Sequence, residues 1–218
     1  MKAALIDLDG TLLDTAPDLA AASNAMLAEL GHPALDPEQV REFVGKGIGV
    51  LVRRALYAAL GRAPDAAAVS HAEAIFVPHY ERANGTASRV YPGVIDGLGA
   101  LRAQGLRLAC VTNKLLRFTE PLLAKTRLRG HFDVVVTSDL AGARKPDPAV
   151  FLHACRMLGV APEEAAVIGD SDNDGDAARA AGCRFLLVPY GYREGKAVKD
   201  IASDGVVATL AEAARHLR

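Results

Sequence analysis

Little in this chain is present in excess, and several absences narrow what it can be. Charge is almost balanced, with 25 Lys and Arg against 26 Asp and Glu and a formal net charge of −1. Proteins that bind nucleic acid or anionic membranes through their field carry a basic excess, so neither partner is expected. Cysteine is scarce: Cys110, Cys155 and Cys183 are odd in number and widely spaced. They make neither a disulfide framework nor a zinc spacing, which points to a reducing, cytoplasmic compartment. No apolar run approaches the length of a membrane span. The amino terminus reads as a strand from residue 3 rather than as a signal peptide. Six histidines show no ligand spacing such as H-E-x-x-H, and there is no internal repeat or low-complexity linker. What remains is ordinary globular composition, half hydrophobic and 23% charged, in 218 residues. That length holds one large domain or a core with a smaller one.

The chain is organised around its first fourteen residues. Ala3 to Leu8 is an apolar run that reads as a buried strand. It ends in two carboxylates, Asp7 and Asp9, followed by Gly10 and Thr11. Residues two apart share a strand face, so a strand persisting to Asp9 projects both carboxylates from its carboxyl end. Open α/β sheets place their ligands at that edge. Adjacent anions need a positive partner, and oxygen-only ligands suit magnesium. A simple turn after a strand, where Asp and Gly are common, is the plain alternative.

Residues 16–84 show helical spacing and no convincing strand. Asp14 or Thr15 caps a first helix with Pro17 in its first turn, and Gly31 and Pro33 stop it. Asp36-Pro37-Glu38-Gln39 starts a second. Val50 to Leu60 and Ala67 to Ala83 follow a glycine-rich interruption at Val44-Gly45-Lys46-Gly47-Ile48-Gly49. From Val90 the pattern alternates. Apolar strands at Leu106–Val111, Phe132–Val136, Ala165–Ile168 and Phe185–Val188 are separated by helices at Val94–Gln104, Phe118–Lys125, Ala149–Leu158 and Asp176–Ala181. Val206-Val207 adds a short strand, and a helix at Leu210–Leu217 closes the chain. The expected fold is α/β, a Rossmann-like doubly wound parallel sheet with an inserted all-helical cap. The core comprises residues 1–15 and 87–218, and the cap residues 16–86.

Polar groups stand at the predicted strand ends: Asp7 and Asp9, Thr112 and Asn113, Asp170. In a doubly wound sheet these ends converge on one edge. Asp7 and Asp170, with a backbone carbonyl near Asp9, suit a hydrated magnesium ion. The Thr112 hydroxyl, Asn113 amide and Lys145 ammonium are donors suited to phosphate oxygens. Asp170-Ser171-Asp172-Asn173-Asp174-Gly175 matches the start of a calcium-binding loop. It lacks the required Glu, since Ala181 stands at the twelfth position, and it follows a strand instead of a helix. The glycine-rich interruption lacks the phosphate-loop spacing. It is either a flexible connection or a cap loop that lowers Lys46, or Arg53 beyond it, onto a substrate. Lys114 and the Arg53-Arg54 pair read most simply as solvated helix residues.

Asp7-Leu8-Asp9-Gly10-Thr11, Thr112-Asn113, Lys145-Pro146 and Gly169-Asp170-Ser171-Asp172-Asn173-Asp174 resemble, in order and spacing, the four motifs of the haloacid dehalogenase superfamily. Val44 to Gly47, Tyr91-Pro92-Gly93, Val111 to Phe118 and Tyr190-Gly191-Tyr192 are similar to its phosphoglycolate phosphatases. The resemblance covers nearly the whole chain. It implies that Asp7 is the nucleophile that forms an aspartyl-phosphate and that Asp9 is the acid and base. It also implies Mg2+ held by Asp7, Asp9 and Asp170, with Thr112 and Lys145 at the phosphoryl group. Substrate binding falls to Thr112, Asn113, Lys145, Lys46 and Arg53, while Asp174 orients Lys145 or a metal-bound water. A closing cap would exclude water. The partner implied is a small phosphorylated metabolite, with 2-phosphoglycolate hydrolysed to glycolate and phosphate. The same machinery serves other sugar phosphates or nucleotides, and a phosphomutase uses the same nucleophile. A catalytically silent binding module has no need of clustered carboxylates that repel one another.

Overall fold

The computed structural model describes residues 1–217. Its centre is β1 (Ala3–Ile6), buried at all four residues. The other strands are β2 (Leu13–Asp14), β3 (Arg89–Val90), β4 (Arg107–Thr112), β5 (Val134–Thr137), β6 (Ala165–Gly169) and β7 (Arg184–Leu187). Five of them form one sheet in the order β5-β4-β1-β6-β7, every pair parallel. Near-continuous apolar strands are what a sheet covered on both faces requires. Alternation sorts the side chains, with Ala4 and Ile6 entering one core and Ala3 and Leu5 the other. Helices α5 (Val94–Ala103), α6 (Leu116–Lys125) and α10 (Leu210–His216) cover the first face. Helices α8 (Ala149–Leu158) and α9 (Asp172–Ala181) cover the second. The chain builds outward from β1 through β4 to β5, then crosses to β6 and β7. The crossover leaves a crevice at the carboxyl end of β1.

Four helices lie between β2 and β3: α1 (Ala16–Glu29), α2 (Pro37–Arg41), α3 (Ile48–Leu60) and α4 (Ala66–Ala83). Three of the four starts have a local cause. Pro17 stands in the first turn of α1, the Asp36 carboxylate accepts from the Glu38 amide at 3.0 Å, and Asp65 accepts from Ala68 at 2.8 Å. Asp36 thus caps α2 through Glu38, not through a pairing with Gln39. The apolar stripes meet in a third cluster, which includes Leu19, Met26, Val52 and Phe76 and takes in Phe118 and Tyr192 from the sheet unit. Tyr80 joins the two, with ring centroids 5.5 Å from Phe76 and 4.9 Å from Phe118.

Several local expectations change. β1 ends at Ile6 rather than persisting to Asp9, because the chain turns there: Gly10 takes a φ of +94° and the Leu12 and Leu13 amides both donate to the Leu8 carbonyl. The turn feeds an unexpected two-stranded antiparallel ribbon, in which Leu13 pairs with Val90 and Asp14 with Arg89. It is the neck through which the chain leaves the sheet and returns. Helix α9 starts at Asp172 instead of Asp176, since Ser171 and Asp174 form a capping box. Ser138–Ala141 is a short helix (α7), and Val206 makes only an isolated bridge to Leu187.

The neck is held by Asp18, a carboxylate with no solvent exposure that sequence periodicity does not single out. It accepts from the amides of Gly85, Ala87 and Ser88 at 2.8, 2.7 and 3.1 Å and from the Thr86 and Ser88 hydroxyls. Burial opposes its charge, but these bonds outweigh burial and hold its carboxyl below the usual range. An amide at this position would turn donors toward donors. We therefore expect Asp18→Asn to cost about 3 kcal/mol of stability, read from urea unfolding midpoints at neutral pH; a change within experimental error would contradict this account of the neck.

Candidate active site

The four predicted motifs do meet at the carboxyl edge of the sheet. They line a cavity of about 290 Å³. Asp7, Asp9, Thr112, Asn113, Lys145, Asp170 and Asp174 all contribute to its wall, while Val44, Ile48, Leu51 and Tyr80 face them from the helical segment.

Lys145 is the hub, only 4% exposed. Its ammonium donates to Asp7 Oδ1 at 2.5 Å, to Asp174 Oδ1 at 2.6 Å and to the Val111 carbonyl at 3.2 Å. Burial disfavours that charge, yet Asp174 and Asp7 more than offset it and hold the ammonium above the lysine range. Asp174 is fixed in turn by the Ser171 hydroxyl, which donates to Oδ2 at 2.7 Å. Asp170 is buried as well and accepts from the Thr11 hydroxyl at 2.8 Å and from the Tyr192 amide. Gly10 and Gly191 pack so closely on Asp170 that a Cβ on either would overlap its carboxylate. The Lys145–Pro146 bond is cis.

Charges here do not cancel. Oxygens of Asp7, Asp170 and Asp174 lie within 4.8 Å of one another, and among the described residues Lys145 is the only cation paired to them. Burial, together with Asp174 and Asp9, pushes the Asp7 carboxyl up to about 7 against the pull of Lys145. Burial and the charges of Asp7 and Asp174 raise Asp170 well above the usual carboxylate range. Three crowded, desolvated oxygen donors with one ammonium are short of positive charge, which is the chemistry of a site for a hard divalent cation. The Asp9 side chain stands outside this group. It accepts from the Thr15 hydroxyl at 2.6 Å and from Lys114 at 2.8 and 3.0 Å.

Several predicted contacts resolve differently. The Asn113 amide is spent on the protein: its nitrogen donates to the carbonyls of Gly45 and Lys145 at 3.0 and 3.1 Å, and its oxygen accepts from the Lys145 amide at 2.8 Å. It clamps the motif lysine and the glycine-rich loop, leaving no side-chain donor for phosphate. Lys46 points to Glu194 in the loop after β7, 2.9 Å away. Arg53 is exposed on α3, outside the cavity wall, and its neighbour Arg54 joins Lys46 on Glu194 at 2.7 Å. Lys46 and Arg54 thus tie the helical segment to the sheet unit. Lys114 is no solvated lysine: its side chain is 5% exposed, and burial is outweighed by Asp9, which holds its ammonium above the lysine range. Its place at the end of β4, beside Thr112 and Asn113, is the sequence signal for a site residue. Arg117 and Arg144 also reach the cavity wall, and nothing in their local sequence distinguishes them from surface arginines.

A family model for haloacid dehalogenase-like hydrolases matches residues 1–182. The phosphoglycolate phosphatase of Thiobacillus denitrificans is 48% identical over 98% of this chain and 94% of its own length. That of Nitrosospira multiformis is 48% identical over 100% and 96%. Among solved structures, a predicted phosphoglycolate phosphatase from Haemophilus somnus superposes with a TM-score of 0.93. It is 30% identical, covering 100% of this chain and 98% of that one.

The raised Asp7 carboxyl has a thermodynamic consequence. A folded state that binds a proton more tightly than the unfolded chain loses stability as pH rises, here between the ordinary 3.8 and about 7. In chelator, urea midpoints should therefore fall across that window. Asp7→Asn should flatten the fall and make the variant more stable than the parent at pH 8, whereas parallel profiles would show that Asp7 is not destabilised by its surroundings.

Proposed function

The chain belongs to the haloacid dehalogenase-like hydrolases, and on that premise we propose that it is a magnesium-dependent phosphoglycolate phosphatase. The observation that carries the reading is Lys145 held between Asp7 and Asp174 beside a third buried carboxylate. This pocket lacks one positive centre and suits the dianionic phosphoryl group that would enter with it. Asp7 and Asp170, with Asp174 close by, are the residues that would hold Mg2+. When bound, the ion neutralises phosphoryl oxygens and favours attack by an anion.

The chain's own groups account for the remaining chemistry. An Asp7 oxygen forms the bond to phosphorus as the ester P–O bond breaks, giving an aspartyl-phosphate. Asp9, turned toward the leaving side, delivers a proton to the departing alkoxide. It then takes one from the water that hydrolyses the acyl-phosphate. Lys145 orients Asp7 and stabilises charge on the transferred group. Thr112, 2% exposed at the end of β4, supplies a hydroxyl at the same edge. Residues 16–86 act as the cap: their helices roof the cavity with apolar side chains, excluding water while the intermediate lasts. A cavity of about 290 Å³ matches a small phosphorylated acid better than a nucleotide.

Phosphate release from 2-phosphoglycolate, set beside sugar phosphates and nucleoside monophosphates, tests this directly. Release should be fastest from phosphoglycolate, should stop in chelator, and should vanish in Asp7→Asn; faster turnover of another ester would overturn the substrate assignment. Because Asp7 titrates near 7 without metal, magnesium binding at pH 6 should expel protons. Calorimetry in buffers of different ionisation enthalpy will show a buffer-dependent heat if that holds.

A further inference from the structure

Lys114 presents a buried ammonium to the cavity, yet the hydrolytic steps above make no use of it. It donates to both oxygens of Asp9, at 2.8 and 3.0 Å, and lies 5.1 Å from the centroid of the Tyr80 ring. Tyr80 comes from the helical segment and lines the same cavity. Its hydroxyl is fully buried, and the polar group set against it is the Lys114 ammonium, which can only donate; the hydroxyl's own proton has no acceptor, and such a buried group calls for an explanation. Burial pushes the phenol up to about 12, so the hydroxyl remains a donor. An ammonium and an unpaired phenolic donor thus stand together on the leaving-group side of Asp9.

We infer that Lys114 and Tyr80 form the subsite for the substrate's carboxylate, making them the specificity-determining pair. The inference rests on the reading of Asp9 as the acid that meets the leaving oxygen. In a phosphorylated 2-hydroxy acid one methylene separates the ester oxygen from the carboxyl carbon. An ester oxygen at the Asp9 carboxyl therefore places the substrate carboxylate within reach of the ammonium that contacts both Asp9 oxygens. Lys114 shares its three donors between Asp9 and the incoming carboxylate. The Tyr80 hydroxyl gains the acceptor that it lacks. A longer or uncharged alcohol offers nothing there and leaves a buried donor unpaired, which is the strongest form of discrimination a small site can build. Substrate choice would then rest on a lysine of the sheet unit and a tyrosine of α4 rather than on Lys46 or Arg53, which do not line the cavity.

The test is binding without turnover. In 3-phosphonopropionate a methylene replaces the ester oxygen of phosphoglycolate, and propylphosphonate is its partner without the carboxylate. By calorimetry in magnesium, the parent protein should bind 3-phosphonopropionate at least tenfold more tightly than propylphosphonate. Lys114→Met should reduce that preference below twofold with propylphosphonate affinity changed less than threefold. Tyr80→Phe, which keeps the ring in place, should cut it by at least threefold. Should Lys114→Met fail to fold, the parent preference and Tyr80→Phe decide. Equal affinities in the parent, or a preference untouched by both variants, would overturn the subsite. Failure of the phosphoglycolate assignment is seen elsewhere, in turnover of the ester panel, and leaves the analogue comparison readable.

Discussion

Three buried carboxylates around one ammonium form the constraint on which the rest of this structure depends. Asp7, Asp170 and Asp174 come from the ends of β1 and β6 and the start of α9, and Lys145 from the loop between α7 and α8. Water would screen their repulsion, but all three are buried, so donors have to hold them in place. The Thr11 and Ser171 hydroxyls, the Tyr192 amide and the two glycines against Asp170 are the means. Behind them lies a sheet with a core on each face, rigid enough to keep like charges together. The strain left in the Asp7 and Asp170 carboxyls is a standing preference for a cation and an electrophile.

Two lysines divide the cavity by function. Lys145 serves the side where phosphorus would be attacked, and its partners are Asp7 and Asp174. Lys114 serves the side where the alcohol would leave, and its partner is Asp9. Their separation reflects topology, for one follows β4 and the other β5, strands that lie side by side. The helical segment meets this edge through a small set of polar ties. Asp18 fastens the neck, Asn113 holds the Gly45 carbonyl, and Glu194 receives Lys46 and Arg54. Tyr192 joins both systems. Its amide donates to Asp170, while its hydroxyl donates to Asp14 and accepts from the amides of Thr15 and Ala16 at the start of α1. A movement of the helices against the sheet would thus be felt at a carboxylate of the charged cluster.

Local pattern determined a great deal by itself. Apolar runs and helical spacing located the sheet strands and the four inserted helices. The placing of Asp7, Thr112 and Asp170 at or beside strand ends brought them to one edge, because parallel strands share their carboxyl ends whatever the loops between them do. Burial and charge on those residues follow from that convergence. Only the tertiary structure decided which way each flexible side chain turned and what it met. Lys46 and Arg53 stand close to the right loop, yet one is captured by Glu194, 148 residues away, and the other is left in solvent. Asn113 has the donors phosphate needs but gives them to two carbonyls. Lys114 looks like a surface lysine until Asp9, 105 residues earlier, folds against it. Sequence spacing dictates backbone periodicity, whereas a long polar side chain takes its partner from whatever the fold carries within a few ångströms, and that is a property of the packed chain alone.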